Sequence, residues 1–148
     1  MNPITQKEVS RTIVEFMPNI IRGIHLGFLS NRTVTQTQFL VIISIHSSGK
    51  CSMNTLADSM HVSMPTISGV VDRLVKSGYI LRVEDSSDRR LVLVELSAKG
   101  KNLVEQFQKA AGTRWEEILK SLSPKELESM QHLFQKLNNQ IKQRIPNE

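Results

Sequence analysis

The sequence predicts a mainly α fold with a small β-wing, and three observations carry that prediction. Apolar residues recur at i, i+3 and i+4 through most of the chain, the period of helices with one buried side. The stretch Ser52–Gly78 reads as two short helices joined by a tight turn. The residues that follow it are β-branched and apolar on either side of a polar loop, which is the pattern of one hairpin.

Taken in order, residues Pro3 to Ser30 read as a long helix with Val9, Ile13, Phe16, Met17, Ile20, Ile24 and Phe28 as its apolar stripe. Pro18 has no N–H to give and predicts a kink or break there. Thr35 with Gln38 makes a capping box. It opens a strongly apolar helix of Phe39, Leu40, Ile42, Ile43 and Ile45, the expected centre of the domain. Ser47 to Lys50 form the loop that ends it. Cys51 is expected to be a buried bystander thiol, since most free cysteines behave as small hydrophobes.

The first helix of the Ser52–Gly78 pair carries Leu56, Ala57 and Met60 on one face, and the second carries Ile67, Val70, Val71 and Leu74. Ser63 is a good N-cap, Pro65 falls in the first turn where a missing N–H matters least, and Gly78 closes the helix. The outward residues near its start are Ser63, Met64, Pro65, Thr66, Ser68 and Gly69, small or neutral and rich in hydroxyls. A solvated face more often carries Glu and Lys. A helix entering a DNA major groove must be slim and able to hydrogen-bond to base edges. These residues alone leave open an ordinary helical hairpin.

Tyr79–Val83 and Leu91–Leu96 then bracket Glu84–Arg90, whose tip holds Asp88, Arg89 and Arg90. A guanidinium on such a tip suits a minor groove or a phosphate, and a nearby carboxylate can fix its direction. A hairpin of this kind directly after a groove-shaped helix favours DNA binding over a solvated turn. Ser97 caps a further helix to about Leu122, with Gly112 inside it and Trp115 expected in a core or a subunit interface. Ser123, Pro124 and Glu126 start a last helix bearing Leu127, Met130, Leu133, Phe134, Leu137, Ile141 and Ile145, a stripe with no obvious partner in so small a chain.

In this order and at these spacings, several short motifs resemble the MarR family of winged helix-turn-helix transcription regulators. They are Thr35–Phe39, Leu56-Ala57-Asp58, Thr66-Ile67-Ser68, Val71–Leu74, Gly78-Tyr79, Asp88-Arg89-Arg90 and Leu96–Gly100. The resemblance covers essentially the whole chain. Two departures are visible: His61 stands where glycine is common in the turn, and Ser97 where threonine is more frequent. The resemblance implies one domain over residues 1–148, with a winged helix-turn-helix lobe at 34–98 and dimerisation helices at 1–30 and 100–145. It also implies that the start of the Phe39 helix lies near the DNA backbone and that Arg73 contacts phosphate or braces the wing. Family members that sense oxidants use a cysteine in the N-terminal helix, which Cys51 does not match.

The expected DNA-binding set is therefore Thr35, Thr37, Gln38, Ser63, Met64, Pro65, Thr66, Ser68, Arg73, Lys76, Asp88, Arg89 and Arg90. A small effector, such as a phenolic or aromatic acid, is expected between the terminal helices and the lobe, with Arg22, His25 and His46 as candidate lining. Two copies related by a two-fold axis would place their reading helices about 34 Å apart, one turn of duplex, which predicts a homodimer on a palindromic operator. The alternative is a winged-helix protein–protein module without DNA contact, which would not need arginines at the wing tip.

Composition agrees with double-stranded DNA as the partner. The 148 residues carry 19 Lys and Arg against 14 Asp and Glu, a net charge of +5. A basic balance favours a polyanion without choosing nucleic acid over an anionic membrane surface. No apolar run approaches the ~20 residues of a membrane span, and the first residues lack the apolar core of a signal peptide. One cysteine excludes an internal disulfide and fits a cytoplasmic setting. No paired-carboxylate cleft, glycine-rich phosphate loop, HxxxH or CxxC spacing is present, so the expectation is a non-enzyme without metal or cofactor.

Overall fold

The structure, a computed structural model, describes residues 3–88 and 90–144. Arg89 and Ile145, both singled out above, lie outside the described residues. Helix α1 (Gln6–Ile20) is capped by Thr5 and Glu8. The Glu8 N–H donates to the Thr5 hydroxyl at 3.3 Å, and the Thr5 N–H donates to the Glu8 carboxylate at 2.8 Å. Pro18 neither kinks the helix to an end nor breaks it. Instead the hydrogen-bond ladder widens just after it: Ile21–Leu26 form a π-helical segment, and α2 (Gly27–Leu29) resumes the α spacing. No residue of α1 is buried, and the helical rod first enters the core at Ile24 and Leu29.

Helix α3 (Gln36–Ser48) is apolar nearly all round, and Phe39, Val41, Ile42 and Ile45 are buried. Gly49 ends it with φ 73°, a left-handed backbone that suits glycine. Strand β1 (Cys51–Ser52) follows and was not expected from the sequence. It joins the hairpin of β2 (Ile80–Glu84) and β3 (Val92–Leu96), giving a three-stranded antiparallel sheet of order β1-β3-β2. Cys51 pairs with Val94, and Ile80 pairs with Leu96 at the other side of β3. Cys51 is buried, and that burial pushes its thiol pKa up, away from the reactive thiolate.

Helix α4 (Met53–Ser59) and helix α5 (Met64–Lys76) form the paired motif. In the turn between them, His61 takes φ 52°, and the Val62 N–H reaches back to the Ala57 carbonyl at 3.1 Å. Histidine tolerates this conformation better than a branched residue does. Leu56, Ala57, Ile67, Val70, Val71 and Leu74 close over α3, and Ile80, Val94 and Val104 complete one core. Each fully buried aliphatic side chain there contributes about 1.5–3 kcal/mol.

Helix α6 (Ala98–Leu119) ends three residues before the expected Leu122. Leu122 belongs instead to the turn in front of α7 (Pro124–Arg144), which opens with Ser123 and Glu126 capping one another. The link from β3 to α6 is tightly built. The Ser97 hydroxyl donates to the Gly78 carbonyl at 2.5 Å, and Lys99 Nζ donates to the Ser77 carbonyl at 2.7 Å. A Cβ at Gly100 would stand 2.3 Å from the Tyr79 carbonyl oxygen, so only glycine fits. These three residues fasten the end of α5 to the start of α6.

Candidate nucleic-acid interface

The outward side of α5 is built from its cap upward. The Ser63 hydroxyl accepts the Thr66 N–H at 3.4 Å and lies 2.8 Å from the Thr66 hydroxyl, so two of the candidate readers hold each other in place. Ser63, Met64, Pro65 and Thr66 are exposed, whereas Ser68 is half-buried on the flank. Arg73 and Lys76 are exposed in the last turns of the same helix. Lys76 lies along the line of Pro65, and Arg73 sits beside it.

An ion pair that sequence reasoning missed ties the wing to this helix. Arg82 Nη2 on β2 donates to Asp72 Oδ1 on α5 at 2.6 Å, with both side chains substantially exposed. An exposed pair contributes only ~0–1 kcal/mol to stability. It links β2 to the outward side of α5. Arg73, the residue expected to brace the wing or bind phosphate, has its side chain outside this contact. A second exposed pair, Lys50 with Glu95 at 3.6 Å, sits at the base of the wing.

At the wing tip the carboxylates hold backbone. Asp85 accepts the N–H groups of Ser87 at 2.7 Å and Asp88 at 3.1 Å, together with the Ser87 hydroxyl. The Ser87 hydroxyl and N–H, more than any charge, keep the Asp85 pKa below its ordinary value. Asp88 accepts the Arg90 N–H at 2.9 Å, so it orients the neighbouring main chain. Arg90 is exposed, and Arg89 falls outside the described residues.

The start of α3 is largely committed to its own cap. Thr35 Oγ1 accepts the Gln38 N–H at 3.3 Å and Gln38 Oε1 accepts the Thr35 N–H at 2.9 Å, while Thr37 is exposed.

The three effector candidates are not gathered into one cavity. His25 packs edge-on against Phe107 at 5.1 Å and Phe39 at 6.4 Å, inside an aromatic cluster with Phe28. Arg22 is exposed. His46 lies two turns beyond Phe39 on α3 and lines a crevice of about 290 Å³ with Lys50, Glu95, Lys101 and Glu105. A separate crevice of about 370 Å³ lies between the N-terminal rod and α6, walled by Phe16, Ile20, Ile24, Trp115 and Ile118, with Arg114 at its edge. A concavity of about 710 Å³ runs along the apolar side of α7 and is an uncovered helix face rather than an enclosed site. Among the described residues no group of three metal-ligating side chains converges, and no helix is long and apolar enough to cross a membrane.

The arrangement of a helix pair, a wing and long flanking helices has close relatives. A family model described as MarR family matches residues 34–92. Over 112 residues the chain is 31% identical to the multiple antibiotic resistance protein MarR of Salmonella typhimurium, an overlap of 75% of this chain and 78% of that one. The chain belongs to the MarR family. The HTH-type transcriptional regulator FarR of Neisseria gonorrhoeae is 25% identical over 109 residues, 74% of this chain and 75% of its own. A crystal structure of a MarR mutant from E. coli superposes with a TM-score of 0.71 at 27% identity, covering 92% of this chain and 98% of that one. A MarR family protein from Bacillus stearothermophilus reaches 0.81 over 96% and 99% of the two chains, and at 22% identity it supports the fold. MarR proteins are DNA-binding transcriptional regulators, which sets this chain apart from enzymes and from a wing used only for protein contact.

Proposed function

We propose that the protein is a homodimeric repressor of a palindromic operator, released by a small ligand. The observation that carries this reading is the slim, hydroxyl-bearing side of α5 joined by the Asp72–Arg82 pair to a wing bearing Arg90. In this reading residues 34–98 form the DNA-binding lobe. Ser63, Thr66 and Ser68 approach base edges, and Met64 and Pro65 offer apolar contact to thymine methyls. Arg73, Lys76 and the start of α3, through Thr35, Thr37 and Gln38, take phosphates. Arg90 enters the minor groove, with Asp88 stiffening the turn beneath it.

Dimerisation through residues 1–30 and 100–145 is supported by what those helices leave open. Among the described residues none of α1 or α7 is buried, and Leu133, Phe134 and Ile141 are 58%, 55% and 55% exposed. Apolar stripes of this length on two helices favour a second copy. For the effector, the crevice beside Trp115 offers apolar walls to a small planar ligand, and its Arg114 guanidinium, 3.9 Å from the Glu117 carboxylate of the same lining, could meet an acid only by exchanging that partner. A ligand there would bear on the packing of the N-terminal rod against α6 and, through those dimerisation helices, shift the spacing of the reading heads.

The test is fluorescence anisotropy with duplexes selected from the source genome, alongside sedimentation. Saturable binding of a two-fold symmetric site by a dimer is expected. Indifference to every duplex at low ionic strength would end the proposal. Replacing Arg90 with alanine should weaken binding and lower the salt slope by about one per subunit, about two for the dimer; an unchanged slope removes the wing tip from contact with DNA.

A further inference from the structure

Two glycines inside helices behave oppositely. At Gly100 the chain itself demands glycine, because a Cβ would collide with the Tyr79 carbonyl. At Gly69, inside α5, a Cβ would meet nothing within 4 Å, and the backbone there is not left-handed. Glycine in a helix interior is less stable than alanine, since it loses more backbone freedom on folding. Gly69 therefore weakens α5, and no contact among the described residues requires it.

Its position shows where the requirement lies. Pro65, Gly69, Asp72 and Lys76 follow one another at steps of four, three and four residues, so they form a single line along α5. That line lies opposite the buried Ile67, Val70, Val71 and Leu74. Thr66 and Arg73, one turn to either side, flank the gap that the absent side chain leaves.

We propose that Gly69 is the point where α5 comes closest to the base edges of its operator. Without a Cβ the helix sits deeper in the major groove, which brings Thr66 within reach of bases and Arg73 within reach of the groove wall. The inference rests on α5 being the groove-reading helix, as set out under Proposed function.

The test is Gly69→Ala in the full chain, compared with wild type for melting temperature, oligomeric state and affinity for the selected operator and a random duplex at one salt concentration. The variant should melt a few degrees higher and keep its oligomeric state. It should lose operator affinity by about tenfold or more, the scale of an overpacked contact, and bind the random duplex as wild type does. Unchanged or tighter operator binding overturns the proposal. So does a lower melting temperature, which would mean that the fold itself needs the glycine. Equal losses on both duplexes would move the contact from base edges to backbone and overturn it too. Wild type that binds no duplex would instead sink the reading on which this one rests.

Discussion

The lobe between α3 and β3 and the pair of terminal helices are made of similar residues put to different ends. In the lobe, Val41, Ile42, Val71, Leu74, Ile80 and Val94 are fully buried. In α1 and α7, Val14, Leu133 and Phe134 are more exposed than not. Both regions have regular caps and helical periodicity, so secondary structure does not separate them. What separates them is whether the chain supplies the opposing surface. The lobe is a closed core, and within one chain the terminal helices leave their apolar stripes uncovered.

That contrast can be broken in three places. Leu74→Ala should have the largest effect, a loss of about 2–5 kcal/mol of lobe stability from lost burial and the cavity left behind. Urea unfolding reads it, and a loss under 1 kcal/mol would mean the core collapses around the gap or was never closed. Phe134→Asp should leave the lobe folded while abolishing self-association. With only one reading head engaged, operator affinity should fall by about 100-fold. Sedimentation together with anisotropy checks this, and a variant that remains dimeric would take α7 out of the interface.

The smallest effect concerns the wing tip and sharpens where the lobe ends. The Asp85 carboxyl is held below its ordinary value of 3.8, chiefly by the Ser87 hydroxyl and N–H. A depressed folded pKa means that the turn gains stability at pH values above the unfolded pKa and loses it as the pH falls through the lower, folded one. The Ser87 and Asp88 amide resonances should therefore titrate together with a midpoint under 3.8 while the core resonances stay still. A midpoint at or above the ordinary value would show that the Asp85 cap does not persist in solution.

Much of this fold was legible because its signals are local. Thr35 with Gln38, Ser63 before Pro65, Ser97 before Gly100 and Ser123 with Glu126 are caps written within one turn of sequence, and all four form. His61 was legible too, as a residue able to take the place of a turn glycine. The features that escaped depend on distance or on very few residues. Strand β1 has two residues and exists only because Val94 and Leu93 lie opposite. The Asp72–Arg82 pair spans a turn and a strand start, a separation no periodicity marks. Proline predicts a kink or a break at position 18, whereas the helix runs on to Ile20 and passes into a widened turn at Ile21–Leu26. The effector candidates were chosen by residue type. His25 is instead enclosed by phenylalanines and His46 opens onto a different crevice, a placement that depends on side-chain direction after packing. Asp88 was legible as a neighbour of the wing arginines, but its choice of a backbone partner was not.

The fastening of Ser97, Lys99 and Gly100 onto residues 77 to 79 has a consequence for anyone who would re-engineer what this protein reads. The portable cassette is larger than α5. A foreign reading helix spliced in between Val62 and Ser77 would keep its angle only if its end still delivered the Ser77 and Gly78 carbonyls to this ammonium and hydroxyl. A swap that breaks instead at Val62 and Lys101 carries helix, flap and latch together, and should transplant with its aim intact.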